Sequence, residues 1–349
     1  MPAVIMYRMI FKERYTVKKL VQSILATSMV LGAVNAQAAW PENVNVSGDI
    51  IAELGVTTGD YQDNSSDLTL SEFYLLMEAD LHENVSGTVS FLYEDGDTPF
   101  GVDEGFLTVQ ANDMWSFNLG KMYLPFGRFN TAMVNDTFAL ELAETNETAF
   151  VAMADLDMVD IAAYAFNGAV RDTDDDTLNS YGVSFLIGSE AMNVKLDYIS
   201  NLGDADAYTD LDDAEVAEVA GGYSVSAHAG MDVFTVDFEY LSALDPIGDL
   251  DQEDETTSTY GEVESIGIEF GMTVGNECEC AVAVGFQSSD NAEGILPETR
   301  VSVGYMRPIF EVLTLNTEIY FDKDYDISGN ADHNGDSGTG LLIDIAASF

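Results

Sequence analysis

The chain ends with the sequence GLLIDIAASF, residues 340–349. Alternate residues of this stretch form an apolar face made of Leu341, Ile343, Ile345, Ala347 and Phe349. Because a β-strand turns successive side chains to opposite faces, this spacing predicts a strand with one apolar side. An open sheet edge invites pairing with other chains, and a barrel avoids this by pairing its last strand with its first. The ending is therefore compatible with a closed barrel and with an ordinary buried terminal strand.

The terminal residue adds a resemblance to this pattern. Phe349 carries the free carboxylate directly after the apolar strand. The stretch resembles the C-terminal strand of bacterial outer-membrane β-barrel proteins, in which a terminal Phe helps the assembly machinery recognise the chain. The resemblance implies that Phe349 contacts the barrel-assembly machinery.

The first 38 residues have the composition of a secretory signal peptide. An apolar core spans residues 20–34, and a small-residue cleavage site ends at Ala38. The basic start consists of Arg8, Lys12, Arg14, Lys18 and Lys19. The apolar core is too short for a comfortable membrane-spanning helix. We therefore expect a signal peptide over residues 1–38 and a single outer-membrane β-barrel domain over residues 39–349.

The composition is strongly acidic. Among 349 residues there are 62 Asp and Glu but only 12 Lys and Arg, and the formal net charge is −50. This charge excludes nucleic acid or an anionic surface as a broad partner. It is compatible with a solvated acidic surface, a cation-attracting pore or a saline habitat. With 47% hydrophobic residues, 16 Tyr and 19 Phe, the chain fits a large all-β protein rather than a disordered one.

Period-two alternation recurs throughout residues 39–349, beginning with the stretch from Val44 to Thr57. The polar face of later segments carries carboxylates such as Asp197, Glu239 and Glu318. Short turns and long polar loops alternate along the chain, so that about 16 strands have turns at one rim and loops at the other. Outer-membrane barrels show this asymmetry.

Periodicity alone does not say whether the apolar faces meet lipid or a dry core. The signal peptide, the terminal Phe and the unequal rims together favour lipid. We therefore predict an all-β fold, a transmembrane antiparallel up-and-down β-barrel of about 16 strands. So many strands enclose water rather than a side-chain core.

The longest loop in the first half, around residues 123–147, is the third external loop of the predicted barrel. Pro125 and Gly127 predict a structural bend. The stretch from Asn135 to Leu142 predicts a short capped helix. Because porins fold their third external loop into the lumen, we expect this loop to fold inward.

The same region carries a second resemblance. The run LGKMYLPFG, residues 119–127, resembles a segment common to porin-like barrels. With residues 140–149 and 163–168, the chain is similar to the family of siderophore porins named for the legiobactin uptake protein of Legionella. The resemblance covers about residues 115–168 and implies an outer-membrane barrel for uptake of iron–siderophore complexes. It also implies a constriction formed by the blocks Lys121–Phe129 and Glu141–Thr148.

Two basic residues lie in this stretch, Lys121 and Arg128. Inside an acidic lumen, they would form a cationic strip opposite nearby carboxylates and set a transverse field across the pore. Alternatively, they form a structural salt bridge that holds the loop against the wall. The candidate pore constriction comprises Lys121, Tyr123, Arg128, Glu141, Glu144 and Glu147.

No catalytic, cofactor or metal site is predicted. Cys278 and Cys280 share one face of a predicted strand, which is poor geometry for a disulfide, and we interpret them as small apolar residues. Acids in the stretches 172–176 and 322–336 offer oxygen ligands for calcium but lack the glycine and final Glu of an EF-hand. We interpret them as solvated loop acids. No Ser/His/Asp arrangement indicates an enzyme.

Three functions fit these observations. The first is an outer-membrane channel that takes up small solutes, including iron–siderophore complexes, by diffusion through a constricted lumen. The second is a cation-selective general diffusion porin. The third is a non-conducting structural or adhesion barrel whose acidic loops are bridged to lipopolysaccharide by divalent ions. Lipid is a partner in each case, and analogy with sixteen-stranded porins suggests a homotrimer.

Overall fold

The chain folds into one antiparallel sheet of 16 strands that closes on itself. The computed structural model describes residues 42–61, 64–96, 98–168, 178–209, 219–247, 261–275, 280–326 and 335–349. Each strand pairs with its neighbours in sequence, and the first pairs with the last. The predicted antiparallel up-and-down barrel is confirmed. The predicted signal peptide, residues 1–38, lies outside the described residues.

The strands alternate with short and long connections. Their bounds are β1 Val44–Gly59, β2 Ser65–His82, β3 Val85–Glu94, β4 Gly101–Gln110, β5 Trp115–Tyr123, β6 Asn146–Asp155, β7 Val159–Phe166, β8 Ser180–Gly188, β9 Met192–Ile199, β10 Gly222–Met231, β11 Phe234–Ala243, β12 Glu264–Val274, β13 Cys280–Asp290, β14 Thr299–Phe310, β15 Leu313–Lys323 and β16 Ser337–Ser348. We call the two ends of the barrel the short-turn rim and the long-loop rim.

Among the described residues, helical structure is confined to the long loops. Helix α1 spans Phe138–Ala143, a 3₁₀ turn spans Leu202–Asp204, and helix α2 spans Asp206–Thr209. In the described part of the chain, no helix has the length and apolarity needed to cross a membrane.

The strands expose their apolar face and bury their acidic face. On β15, Ile319 is 44% exposed and Phe321 is 52% exposed, whereas Glu318 and Asp322 are buried. A soluble sandwich buries the opposite set, because its dry interior is apolar. The exposure pattern therefore places the apolar side chains on the outside of the barrel and the acids on the inside, as the sequence pattern predicted.

The terminal Phe closes the barrel. β16 pairs with β1 from Gly338 opposite Gly59 to Ser348 opposite Asp49. Beyond that pairing, Phe349 N donates to Gly48 O at 3.0 Å, and Gly48 N donates to Phe349 O at 3.1 Å. A Cβ atom at Gly48 would lie 2.8 Å from Phe349 Cζ and would also collide with the carbonyl oxygen of Tyr74. Position 48 therefore needs glycine for the aromatic ring to lie across the seam.

Replacing Gly48 by Val is expected to destabilise the closed barrel by about 2 kcal/mol, because the added methyl groups overpack the seam. Urea unfolding in detergent, followed by tryptophan fluorescence, measures this change. Gly105→Val on β4 is the matched control, since a Cβ at Gly105 would meet nothing within 4 Å. Equal stability of the two variants would contradict the prediction.

The short turn between β10 and β11 shows how the local sequence ends a strand. Ala229–Met231 form the end of β10, and Asp232 and Val233 make the turn. Asp232 has a φ of 57°, a left-handed conformation that Asp tolerates better than most residues. The strand therefore continues through the small and apolar residues up to the first residue suited to the turn.

The interpretation of the cysteines is wrong. Cys280 is disulfide-bonded, and the only other cysteine of the chain is Cys278. The prediction placed both residues in one strand, where side chains two apart point the same way. In the structure β13 begins at Cys280, and Cys278 lies outside the described residues.

The lumen is not filled with water alone, which corrects a second expectation. One buried apolar core lies inside the barrel toward the long-loop rim. Inward residues of the wall such as Phe166 and Leu241 contribute to it, together with loop residues such as Phe126, Phe138 and Leu202. The inward face thus carries acids at mid-height and this apolar core near the rim, while a smaller apolar cluster of Tyr74, Leu76 and Leu92 lies on β2 and β3. The long loops that contribute to the core fold over the barrel instead of standing in water.

Candidate channel constriction

The third long loop, residues 124–145, folds into the barrel and is called the inner loop below. Acids on the wall accept hydrogen bonds from its backbone. These bonds join Gly127 N to Asp197 Oδ2 (3.1 Å), Arg128 N to Glu239 Oε1 (2.7 Å), Phe129 N to Glu239 Oε2 (2.8 Å), Ala132 N to Glu269 Oε1 (2.9 Å), Val134 N to Glu318 Oε2 (2.7 Å) and Asn135 N to Glu318 Oε2 (2.8 Å).

The acceptors fix the course of the inner loop. They lie on β9, β11, β12 and β15, so the loop crosses the inside of the wall over this arc. Hydrogen bonds to ionised acceptors are roughly twice as strong as neutral ones. A buried N–H that loses its acceptor costs about 1–3 kcal/mol. Some of the many acidic residues of the chain therefore hold this loop against the wall.

A side chain at the tip of the loop fits into a gap in the wall. Met133 is buried, and its side chain lies against Gly285 on β13 and Gly304 on β14. A Cβ at Gly304 would lie 2.8 Å from Met133 Sδ and 3.2 Å from Ala132 O. The glycines therefore leave the space that Met133 occupies.

Gly304→Val is expected to displace the tip, because the new side chain takes the space of Met133. The N–H groups of Val134 and Asn135 should exchange with deuterium about tenfold faster, since local opening of the loop then requires less free energy. Hydrogen–deuterium exchange read by mass spectrometry checks this. Gly55→Val is the control, because a Cβ there stays 3.5 Å or more from other atoms. Unchanged exchange in Gly304→Val would refute the account.

Helix α1 forms the return path of the inner loop. The prediction started this helix at Asn135, but it begins at Phe138 after Thr137, whose side chain accepts a hydrogen bond from Leu140 N at 3.1 Å. Asn135 N is instead bound to Glu318. Phe138 N donates to Gln287 Oε1 on β13 at 2.6 Å. Because of these contacts with the wall, the helix begins at Phe138 rather than at Asn135.

Lys121 does not lie at the predicted constriction. It is exposed near the end of β5 and shares the outward face with Leu119, which is 59% exposed. Its neighbour Met122 points inward and is buried. The prediction counted Lys121 among the constriction residues from its place next to the loop, but the alternation of β5, which continues to Tyr123, turns Lys121 outward.

Arg128 does point into the barrel and is held against the wall. Its Nε donates to Ser226 Oγ at 3.2 Å, and Nη2 donates to Asn193 Oδ1. Burial lowers the pKa of Arg128, while the carboxylates of Asp237 and Glu239 oppose that shift. The arrangement matches the alternative in which a basic residue fastens the loop, rather than a cationic strip formed with Lys121.

The other predicted residues lie at the two ends of the inner loop. Tyr123 OH donates to Asp103 Oδ1 at 3.0 Å. Glu147 lies on the inward face of β6, opposite Met122. Glu141 is the exposed residue of α1, and Glu144 ends that helix.

The predicted bend and the end of α1 show two local features. Pro125 is buried, and Gly127 has a φ of 72°, which glycine adopts without strain. Burial raises the pKa of Glu144 well above its ordinary range, and the carboxylates of Asp136 and Asp206 add to the rise. Glu144 therefore lies in an acidic environment rather than beside a basic partner.

Acids also lie on the neighbouring strands β2 and β3. Glu72 on β2 pairs directly with Glu94 on β3. The carboxylate of Glu72 is repelled by those of Glu94, Asp49 and Asp136. Asp136 belongs to the inner loop, so an acid of the loop acts electrostatically on Glu72 of the wall. We call Glu72, Glu94 and Asp136 the acidic constriction.

Sequence reasoning missed the acidic constriction. The available signal was the period-two alternation of β2, which turns Glu72 inward. Nothing in the sequence brings Asp136 close to it, because the two residues are joined through the path of the inner loop across the lumen.

The described residues offer no metal centre. Among them, no group of three or more His, Cys, Asp or Glu side chains is arranged to hold a metal ion. Asp322, one of the suggested calcium ligands, binds Arg300 instead. The acids at 172–176, together with Asp332 and His333, lie outside the described residues.

Comparisons with known proteins agree with this architecture. No protein-family profile matches the chain. A UPF0422 protein of Legionella pneumophila strain Paris is 24% identical over 314 residues, which cover 79% of this chain and 58% of that protein. The chain thus spans little more than half the length of the curated relatives it matches.

Solved structures cover the barrel almost completely. OmpF of Salmonella typhi, in complex with daunomycin, has a TM-score of 0.63 at 10% identity, over 88% of this chain and 98% of that chain. The anion-selective porin of Comamonas acidovorans has a TM-score of 0.62 at 10% identity, over 88% and 99%. The trimer form of OmpT, an outer membrane protein of Vibrio cholerae, has a TM-score of 0.57 at 11% identity, over 88% and 99%. The fold is that of bacterial outer-membrane porins.

Within this porin fold, the inward basic residues of the described chain are matched by acids. Lys195 Nζ lies 3.3 Å from Asp197 Oδ2. Arg300 donates through Nε and Nη2 to both oxygens of Asp322, at 2.8 and 2.9 Å. Its guanidinium also lies 5.4 Å from the ring centre of Phe138, so it helps to hold α1. The positive charges of Lys195 and Arg300 on the lumen side are therefore engaged in local contacts.

Proposed function

We propose that this chain forms a diffusion channel in the bacterial outer membrane and that its constriction favours cationic solutes. The observation that carries the proposal is the acidic constriction, in which Glu72 and Glu94 pair directly on the wall and Asp136 of the inner loop acts electrostatically on Glu72. The inward bases Lys195 and Arg300 are matched by their own carboxylates and do not offset it.

The electrostatic reason is the concentration of negative charge in a narrow passage. A cleft lined by charge of one sign raises the local concentration of counter-ions about tenfold or more. Rings of Asp and Glu side chains select cations in channels in the same way. A small cation is therefore enriched at the constriction, and an anion of the same size is depleted.

A planar-bilayer measurement tests both parts of the proposal. The refolded barrel should conduct, and in a KCl gradient the reversal potential should have the sign of a potassium-selective pore. A barrel that folds but passes no current would overturn the channel. A conducting barrel with a chloride-selective reversal potential would overturn the cation preference alone. No catalytic role forms part of the proposal.

Uptake of iron–siderophore complexes is a second candidate function. It is supported by the blocks within residues 115–168 that resemble the siderophore porins, and these include the inner loop. Ferric-siderophore uptake by a deletion strain, with and without the restored gene, tests this candidate. Equal uptake in both strains would argue against it.

We further propose that the mature chain begins near Ala39, that it assembles through Phe349 and forms a homotrimer, and that its lipid partners include lipopolysaccharide. The exposed apolar residues around the barrel support contact with a bilayer. The trimer form of the Vibrio protein supports the oligomeric state by analogy. N-terminal sequencing of the membrane-extracted protein and light scattering in detergent test the first residue and the stoichiometry.

A further inference from the structure

Two acidic side chains lie side by side at the seam where the barrel closes. Glu53 on β1 is directly opposite Asp344 on β16, and both side chains point inward. The two carboxyl groups hydrogen-bond to each other. An ionised carboxylate can only accept hydrogen bonds, so a bond between two carboxyl groups requires that one of them carries a proton. The hydrogen bond therefore implies one proton held between Glu53 and Asp344.

Burial indicates which member of the pair carries the proton. Asp344 is 5% exposed, and its Oδ1 has no hydrogen-bond partner in the described chain. An ionised carboxylate with a buried, unpartnered oxygen is costly, because its charge is neither hydrated nor paired. A carboxylic acid that donates its proton to Glu53 leaves only a neutral oxygen without a partner. Burial therefore favours the proton on Asp344 and the charge on the half-buried Glu53.

The residues directly opposite the pair are uncharged. Thr69 on β2 is opposite Glu53, and Asn316 on β15 is opposite Asp344. Glu318 on β15 adds negative charge, since its carboxylate repels both members of the pair. The shared proton therefore keeps three neighbouring carboxyl groups from being ionised together.

Other charged side chains face this part of the lumen from the neighbouring elements. They are Arg300 on β14, Asp49 on β1, Glu72 on β2 and Asp136 in the inner loop. Arg300 attracts the carboxylate of Glu318, but its guanidinium donates to both oxygens of Asp322. The positive charge of Arg300 is thus already matched, and it does not replace the proton of the pair.

Glu318 links the pair to the inner loop. Its Oε2 accepts from Val134 N at 2.7 Å and from Asn135 N at 2.8 Å. A second negative charge on the pair would repel this carboxylate and weaken its hold on the tip of the loop. We propose that Glu53 and Asp344 share one proton, and that its release weakens the seam and loosens the tip of the inner loop. The position of the loop thereby becomes sensitive to pH, whether or not the barrel conducts.

The stability that the shared proton provides declines as the pH rises. In the unfolded chain both carboxyl groups ionise near about pH 4. At neutral pH the folded pair therefore binds one proton more than the same groups in the unfolded chain. Because the state that binds more protons is favoured by acid, the stabilisation is complete below about pH 4. It is lost as the pH rises through the range in which the folded pair releases its proton.

Urea unfolding in detergent at about pH 5 and about pH 9 tests the proposal. Asp344→Asn places an amide N–H toward Glu53, which donates a hydrogen bond at either pH. Between the two pH values, the unfolding equilibrium constant of the unaltered barrel should rise about tenfold more than that of Asp344→Asn. Asp49→Asn is the matched control, because Asp49 also faces β16 from β1 but accepts from Ser348 Oγ at 2.6 Å. This control should keep the pH response of the unaltered barrel.

Hydrogen–deuterium exchange separates the effect on the inner loop from the effect on the seam. After correction for the intrinsic exchange rate, Val134 N and Asn135 N should be about threefold less protected at the higher pH in the unaltered barrel. Their protection should not change with pH in Asp344→Asn. Equal protection at both pH values in the unaltered barrel would overturn the link to the loop.

Two further outcomes would overturn the shared proton itself. One is an equal pH response of stability in the unaltered barrel and in Asp344→Asn. The other is a stability that follows the potassium concentration at constant pH instead of the pH, since a bound cation rather than a proton would then hold the pair together. If Asp344→Asn does not fold, Glu53→Gln supplies the same comparison from the other strand.

Discussion

A Glu239→Ala, Glu318→Ala double variant is expected to conduct about threefold more current than the unaltered barrel, because the inner loop no longer narrows the lumen. Glu239 accepts Arg128 N and Phe129 N, and it also accepts Ser224 Oγ at 3.0 Å. Glu318 holds the tip of the loop through two N–H groups.

The expected increase in conductance follows from the hydrogen bonds that the double variant loses. Removing both carboxylates leaves four loop N–H groups without acceptors, and each costs about 1–3 kcal/mol if it stays buried. Displacing the loop out of the lumen, toward the long-loop rim, lets water satisfy these groups instead. The free energy that favours the wall-bound position of the loop therefore falls, although the Met133 contact and the apolar core still oppose release.

Single-channel recording measures the change, and the heat-modifiable migration of the folded barrel shows that the strands still close. Glu78→Ala is the matched control, because Glu78 faces the lumen from β2 but makes no hydrogen bond to the inner loop in the described chain. If the double variant folds and its conductance equals that of Glu78→Ala, the wall acids do not hold the loop.

A Glu72→Gln, Glu94→Gln, Asp136→Asn triple variant should lose most of its cation preference, with the potassium-to-chloride permeability ratio falling about tenfold. The substitutions keep the size of each side chain and remove three negative charges from the acidic constriction. They also remove the repulsion between Glu72 and its neighbours, so the variant should fold at least as well as the parent.

The reversal potential in a KCl gradient measures this ratio. Asp113→Asn, Asp155→Asn, Asp232→Asn is the matched control, since it removes the same charge from exposed residues at the short-turn rim. Selectivity of the parent should also shrink in 1 M salt, where screening acts within about 3 Å. If both triple variants lower the ratio equally, net charge rather than the acidic constriction sets the selectivity.

The strands were predictable because their signal is local. On β15, the alternation of Ile319 and Phe321 with Glu318 and Asp322 is visible in the sequence, and the structure exposes the first pair and buries the second. Register follows from the same pattern, because a slip of one residue would turn every acid toward the outside. The closing contact of Phe349 with Gly48 follows from pairing the last strand with the first.

The constriction was less predictable because its contacts are distant in sequence. Arg128 N and Glu239 are 111 positions apart, and Val134 N and Glu318 are 184 apart. No periodicity couples such positions. Lys121 was assigned to the constriction for another reason: its position beside the loop was weighed above the alternation of β5, which places it on the outward face with Leu119.

The apolar core inside the barrel was missed for a related reason. Residues such as Phe166 and Leu241 lie at inward positions near strand ends, where the sequence offers no means to separate a wet wall from a covered one. Only the folded loops show which part of the wall they cover.

The sequence by itself determined the barrel: the number of strands, their alternation, the acidic interior and the unequal rims all follow from patterns a few residues long. The tertiary structure alone decided which acids hold the inner loop, which acids meet at the constriction, and which part of the lumen is dry. The physical reason is that a strand's faces depend on its immediate neighbours, whereas a loop's position depends on hydrogen-bond acceptors and packing gaps supplied by strands more than a hundred residues away.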